Sequence, residues 1–94
     1  MDDHHAQILK KLADEASSLL QQQFKADPLC SVTGYFQGRL IGLRQPELVP
    51  HLNFWLASEH HSRAAAGEAN PWTQQYLRGL AEALSEAAFI LACR

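Results

Sequence analysis

The sequence predicts an all-α protein, a small bundle of three to four helices that ends in an antiparallel helical hairpin and forms a homodimer. Three observations lead to this prediction. Apolar residues recur at spacings of three and four in the first and last parts of the chain, which is the period of a helix with one buried face. Asn70-Pro71 is a helix-start signal, since asparagine caps helices and proline favours their first position. Gly34, Gly38 and Gly42 are four residues apart, so in a helix they share one face.

The first predicted helix runs from about Asp3 to Lys25. Its apolar residues form one stripe, and charged residues and glutamines occupy the opposite side. Asp27-Pro28 ends it, because the residue before a proline disfavours the helical conformation. The stripe consists of Leu9, Leu12, Ala13, Ala16, Leu20 and Phe24.

The second segment, from Ser31 to Arg44, permits two interpretations. As a helix, it ends at Gln45-Pro46; as strands, it places its glycines at turns or bulges. We favour the helix, because a lone hairpin in an otherwise helical chain has no sheet to join. Each interior glycine costs a helix about 1 kcal/mol relative to alanine. A helix with three glycines therefore predicts a close-packing groove, formed by Gly34, Gly38 and Gly42, that is filled within the fold, across a dimer or by a partner.

The third predicted helix begins between Pro46 and Pro50 and ends at Ala66, and Gly67 follows it. The fourth spans Pro71–Ala92. Their short connection predicts an antiparallel hairpin. The stripe expected to be buried on the third helix is Leu48, Leu52, Trp55 and Leu56, with Phe54, Ala57 and His61 beside it. On the fourth helix we expect Trp72, Tyr76, Leu80, Ala83, Ala87 and Ile90 to be buried, and Arg78, Glu82 and Glu86 to face solvent.

Length and charge limit the possible functions. The 94 residues predict a single helical domain, 1–94. The net charge of −2 provides no basic field for nucleic acid or for a membrane surface. Apolar runs are far shorter than the roughly 20 residues of a membrane span.

Cys30 and Cys93 lack metal-binding spacing. We interpret them as reduced thiols of a cytoplasmic protein, with a disulfide as the alternative.

No constellation in the sequence predicts catalysis or cofactor binding. Metal ligands on one helix face need a spacing of three or four, whereas His60 and His61 are adjacent and point about 100° apart. Neither a nucleophile elbow nor a glycine-rich phosphate loop is present. We therefore predict that the protein is not an enzyme and binds neither a metal nor a cofactor.

The glycine segment is rich in the side-chain types that anchor protein interfaces. The alternative is that these side chains fill the core of the bundle. We favour an interface for the segment as a whole, because a chain of this size buries only about 60–65% of its unfolded surface. A homodimer would cover some of this surface, and a partner protein would compete for it. The predicted partner-binding residues are Tyr35, Phe36, Arg39, Leu40, Leu43 and Arg44.

In length, acidity and its final hairpin, FWLASEHHSRAAAGEANPWTQQYLRGLAEALSEAAFILA, the chain resembles small helical anti-activators and phage-type inhibitors. The hairpin covers about 40% of the chain. The resemblance implies a regulatory inhibitor, such as a quorum-sensing anti-activator, that covers the ligand-binding or dimerisation surface of a transcription regulator with exposed apolar helix faces. It assigns no role to individual residues. The alternative is a small DNA-binding transcriptional regulator, but the prolines Pro46 and Pro50 make a poor helix-turn-helix turn and the arginines are scattered.

Overall fold

The computed structural model describes residues 3–93, and these form four α-helices without a strand. The prediction of a small all-α bundle is therefore confirmed, and the glycine segment is a helix. In chain order the helices are α1 (Asp3–Ala26), α2 (Ser31–Leu48), α3 (Phe54–Gly67) and α4 (Pro71–Ala92).

Two asparagines define where the last two helices begin. The Asn53 side chain accepts a hydrogen bond from the Leu56 backbone N–H at 3.1 Å. The Asn70 side chain accepts one from the Thr73 N–H at 3.0 Å, and Pro71 occupies the first helical position. Each cap satisfies a backbone donor that lacks a partner within its helix. The predicted start of α4 is confirmed.

The predicted boundary between the second and third helices is wrong. α2 continues through Pro46 to Leu48, and α3 begins at Phe54 rather than near Pro50. Pro46 lies in the last turn of α2, where it removes one helical hydrogen bond, and its ring is buried. The Val49 N–H donates to the Gln45 carbonyl at 2.7 Å and closes the helix beyond the proline.

α4 is the central helix, with α2 on one side and α3 on the other. α2 and α4 run in the same direction, since Gly34 lies against Trp72 and Gly38 lies further along against Tyr76. α1 packs mainly on α2. Its first turn reaches the end of α4, where His5 Nε2 donates to the Cys93 carbonyl at 2.7 Å.

The antiparallel hairpin of α3 and α4 is also observed. The Ser58 hydroxyl near the start of α3 donates to the Ala81 carbonyl at 2.6 Å. The Gln74 amide in the first part of α4 donates to the Ala65 carbonyl near the end of α3, at 3.3 Å. The start of α3 therefore lies beside the later turns of α4, as the sequence predicts.

Small residues dominate the core. Within residues 3–93, seven of the thirteen buried apolar residues are alanines, and the largest fully buried side chains are those of Leu84 and Thr33. Alanine allows helices to approach closely but buries little apolar area per residue. Many large apolar side chains therefore stay on the surface: Leu19, Phe24, Leu29, Val32, Leu48, Val49, Leu52, Trp55, Leu56 and Phe89. Within residues 3–93, no helix combines the length and the apolarity that crossing a bilayer requires.

Candidate protein-binding surface

The close-packing groove of α2 is filled by α4. A Cβ added to Gly34 would lie 2.6 Å from the Trp72 carbonyl oxygen, and one added to Gly42 would lie 2.6 Å from the Ala83 Cβ. A Cβ on Gly38 would overlap the Tyr76 backbone. Real Cβ atoms do not approach other atoms this closely, so the three glycines let two helix backbones touch. The groove serves the fold of the single chain and leaves no space there for a partner.

A fourth glycine, Gly79, completes this contact from the α4 side. A Cβ at this position would overlap the Tyr35 carbonyl oxygen of α2. Sequence reasoning did not single out Gly79, because an isolated glycine within an amphipathic helix carries no spacing signal. The structure thus places glycines on both sides of the same helix–helix contact.

The predicted partner-binding residues do not form one exposed surface. Leu40 and Leu43 lie in the core among residues of α1, α2 and α4, and Leu43 is only 2% exposed. Their assignment to an exposed binding face is wrong, because α1 covers that side of α2. Phe36 is half-buried and makes an edge-to-face contact with Tyr35 at 5.4 Å between ring centroids. Arg44 is exposed beside α1.

Tyr35 and Arg39 are partly buried on α2, and both reach across to side chains of α4. The Tyr35 hydroxyl donates to the Glu82 carboxylate. Arg39 Nη2 lies 2.9 Å from Glu86 Oε2 in a partly buried ion pair. Burial raises the pKa of Tyr35 above its ordinary value of 10.0, and the hydrogen bond to the Glu82 carboxylate raises it further. Glu82 is exposed, as the sequence predicts, and Glu86 is partly exposed, but both carboxylates also contact side chains of α2.

Glu82 and Glu86 also line a groove between α3 and α4. This α3/α4 groove is an open cleft of about 510 Å³. Trp55 and Phe89 contribute large aromatic side chains that are 53% and 65% exposed. The residues that line the groove are Trp55, Ser58, Ser62, Ala81, Glu82, Ser85, Glu86 and Phe89.

The exposure of Trp55 follows from how α3 is rotated. The predicted buried stripe of α3 is wrong, since Leu48 and Leu52 precede the helix and Trp55 and Leu56 are exposed. Phe54, Ser58 and Ala65 face α4 instead. Because adjacent helical residues point about 100° apart, the burial of Phe54 turns Trp55 toward the groove. The signal available in the sequence was the pair Asn53-Phe54, a capping residue followed by an apolar residue.

The histidines form no metal site in the described part of the chain, where no three potential ligands are grouped. Burial lowers the pKa of His61, and the charge of the neighbouring His60 lowers it further. Their rings contact each other edge to face at 5.3 Å on α3.

The α3/α4 groove combines polar and apolar side chains. Its serines and glutamates supply hydrogen-bond acceptors and donors, and its aromatic side chains supply apolar area. The Ser58 hydroxyl is already engaged with the Ala81 carbonyl. No family model matches the chain, and comparisons with curated proteins and with solved structures likewise found no match.

Proposed function

We propose that this chain is a non-catalytic, cytoplasmic protein-binding module, a small regulatory inhibitor of the anti-activator kind. Its binding surface is the α3/α4 groove. The observation that supports this proposal is the exposure of Trp55 and Phe89 on the same groove, at 53% and 65%. Tryptophan and other aromatic residues are the side chains that most often carry the binding energy of protein interfaces.

The groove fits an amphipathic helix of the partner. A helix placed in a groove buries an apolar face, and its anchors recur at spacings of three and four. Trp55 and Phe89 offer apolar contacts for those anchors, and the serines and glutamates of the walls offer a polar rim. Burial of this apolar surface favours binding, and the aromatic anchors carry most of the gain.

Charge adds a preference for the partner's sequence. Glu86 is paired with Arg39, whereas Glu82 accepts from the neutral hydroxyl of Tyr35. The negative charge of Glu82 therefore favours a lysine or arginine beside the partner's apolar anchors. The same charge disfavours nucleic acid at this groove, so the groove does not support the DNA-binding alternative.

Affinity capture from a lysate of the source cell, followed by mass spectrometry, tests this proposal. The bait proteins are the wild-type chain, a Trp55→Ala/Phe89→Ala double variant and a Leu56→Ala control. Leu56 is 62% exposed and does not line the groove. The captured protein is then purified, and its affinity for each bait is measured by calorimetry.

We expect one stoichiometric protein on the wild-type and Leu56→Ala baits, and at least about a tenfold loss of affinity for the double variant, which corresponds to about 1.4 kcal/mol. Circular dichroism checks that the double variant keeps its helicity. Capture of no protein by the wild-type bait would contradict the proposed function. Equal affinity for all three baits would contradict the assignment to the groove.

A further inference from the structure

A second apolar surface lies at the other end of α4, around the loop between α1 and α2. Leu29 at the tip of this loop is 85% exposed, and Phe24 in the last turns of α1 is 60% exposed. Trp72 in the first turn of α4 borders the same depression. This loop patch consists of Leu20, Phe24, Pro28, Leu29, Pro71 and Trp72.

Hydrogen bonds hold the loop in place on both sides. The Asp27 carboxylate accepts from the Leu29 N–H at 3.1 Å, and the Asp27 carbonyl accepts from the buried Thr33 hydroxyl at 2.7 Å. The Trp72 indole N–H donates to the Pro28 carbonyl at 3.3 Å. These bonds fix the backbone of Leu29, while its side chain faces solvent. A loop whose backbone is already ordered loses less conformational entropy on binding.

The chain exposes more surface than an average monomer of its mass. The chain exposes 6014 Å², whereas a compact monomer of its mass exposes about 5,400 Å². The chain is therefore less compact than an average monomer, and the exposed side chains of the loop patch contribute to this surface. A standard interface buries about 800 Å² of each partner.

The charges around the loop patch favour a second copy as that protein. The patch is apolar, and the charged residues closest to it in sequence are Lys25 and Asp27, which have opposite signs. A two-fold interface places one surface on an identical surface, so it needs self-complementary charges. Lys25 of one copy can face Asp27 of the other. Homodimer interfaces are also more apolar than transient ones.

We propose that a second copy of this chain docks on the loop patch across a two-fold axis. The proposal does not rest on the partner proposed above, because the patch and the α3/α4 groove lie at opposite ends of α4. Trp72 and Phe89 are separated by about 25 Å along the helix, at 1.5 Å per residue. A dimer formed through the loop patch leaves both grooves open to a partner.

Sedimentation equilibrium of the purified full-length chain tests this inference. The samples are the wild type, Leu29→Glu, Phe24→Glu and the control Leu56→Glu, which adds the same charge to an exposed leucine of α3. We expect wild type and Leu56→Glu to sediment at twice the chain mass of 10.5 kDa. Each patch variant should raise the dimer dissociation constant at least about 50-fold.

A wild-type chain that stays monomeric at about 200 μM would overturn the proposal, even if the patch captured a peptide or a lipid. A Leu29→Glu variant that dimerises as tightly as wild type would overturn the placement. A Leu56→Glu variant that dissociates as readily as the patch variants would also overturn it.

A photoreactive phenylalanine at position 24 of the otherwise wild-type chain supplies a second readout if a glutamate variant loses helicity. Intermolecular cross-links to the loop patch are expected, and cross-links confined to α3 would again overturn the placement.

Discussion

The backbone of Gly38 in α2 lies directly against the backbone of Tyr76 in α4, and a methyl group on Gly38 would overlap the Tyr76 carbonyl oxygen. The helices that meet here run parallel, and Gly79 of α4 faces Tyr35 of α2 in the same way. Glycines on both helices therefore set how closely α2 and α4 approach. This approach also allows Tyr35 to reach Glu82 across the contact.

Gly38→Ala is expected to destabilise the protein, although alanine is the better helix former. The substitution gains about 1 kcal/mol of helix propensity. It also forces two backbones apart, and overpacking of this kind typically costs about 1–3 kcal/mol and occasionally more. We expect a net loss of about 1–3 kcal/mol in the free energy of unfolding, measured by urea denaturation.

Gly67→Ala is the matched control for this substitution. Gly67 ends α3, its φ is negative and a Cβ there would meet no atom within 4 Å. Its free energy of unfolding should be unchanged or raised by up to about 1 kcal/mol. Equal effects of the two substitutions would show that propensity alone governs both positions and that the α2–α4 contact is looser than described.

Leu43→Ala tests the assignment of this residue to the core. Leu43 is 2% exposed, and truncation of a buried leucine costs about 2–5 kcal/mol. Leu48 is on the same helix and exposed, so Leu48→Ala should change the free energy of unfolding by less than about 0.5 kcal/mol. Thermal or urea denaturation followed by circular dichroism measures both. A Leu43→Ala variant that is as stable as Leu48→Ala would contradict the assignment of Leu43 to the core.

Periodicity predicted the helices of this fold but not which helices pack against each other. The spacing of Gly34, Gly38 and Gly42 identifies one smooth helix face, whatever then packs on it. Whether α4, a dimer or a partner fills that face depends on the tertiary arrangement, which local spacing does not encode. The boundary at Pro46 was missed for a related reason, since burial of the proline ring offsets the lost hydrogen bond.

The candidate surface was harder to predict than the fold. Trp55 and Phe54 are adjacent and both apolar, so the sequence allows either one to face α4. The burial of Phe54 in a cluster with Leu84 and Ala88 decides between them and leaves Trp55 exposed. The contacts of Glu82 and Glu86 with α2 depend on the parallel packing of α2 and α4. No short-range pattern specifies that packing.

The hydrogen bond between Tyr35 and Glu82 predicts a loss of stability at alkaline pH. The pKa of Tyr35 is raised above 10.0 in the folded chain, first by burial and then by Glu82. As pH rises through 10, the unfolded chain releases the phenolic proton while the folded chain keeps it, so the free energy of unfolding falls. Urea denaturation between pH 7 and 11 should therefore show that the free energy of unfolding falls more steeply with pH in wild type than in Tyr35→Phe. The lysines also titrate in this range, but they are the same in both proteins and do not affect the comparison. Glu82→Gln should fall between them, because it removes the second cause and leaves burial in place. Absorbance titration at 295 nm measures the tyrosinate directly, and superimposable declines in wild type and Tyr35→Phe would contradict the contact.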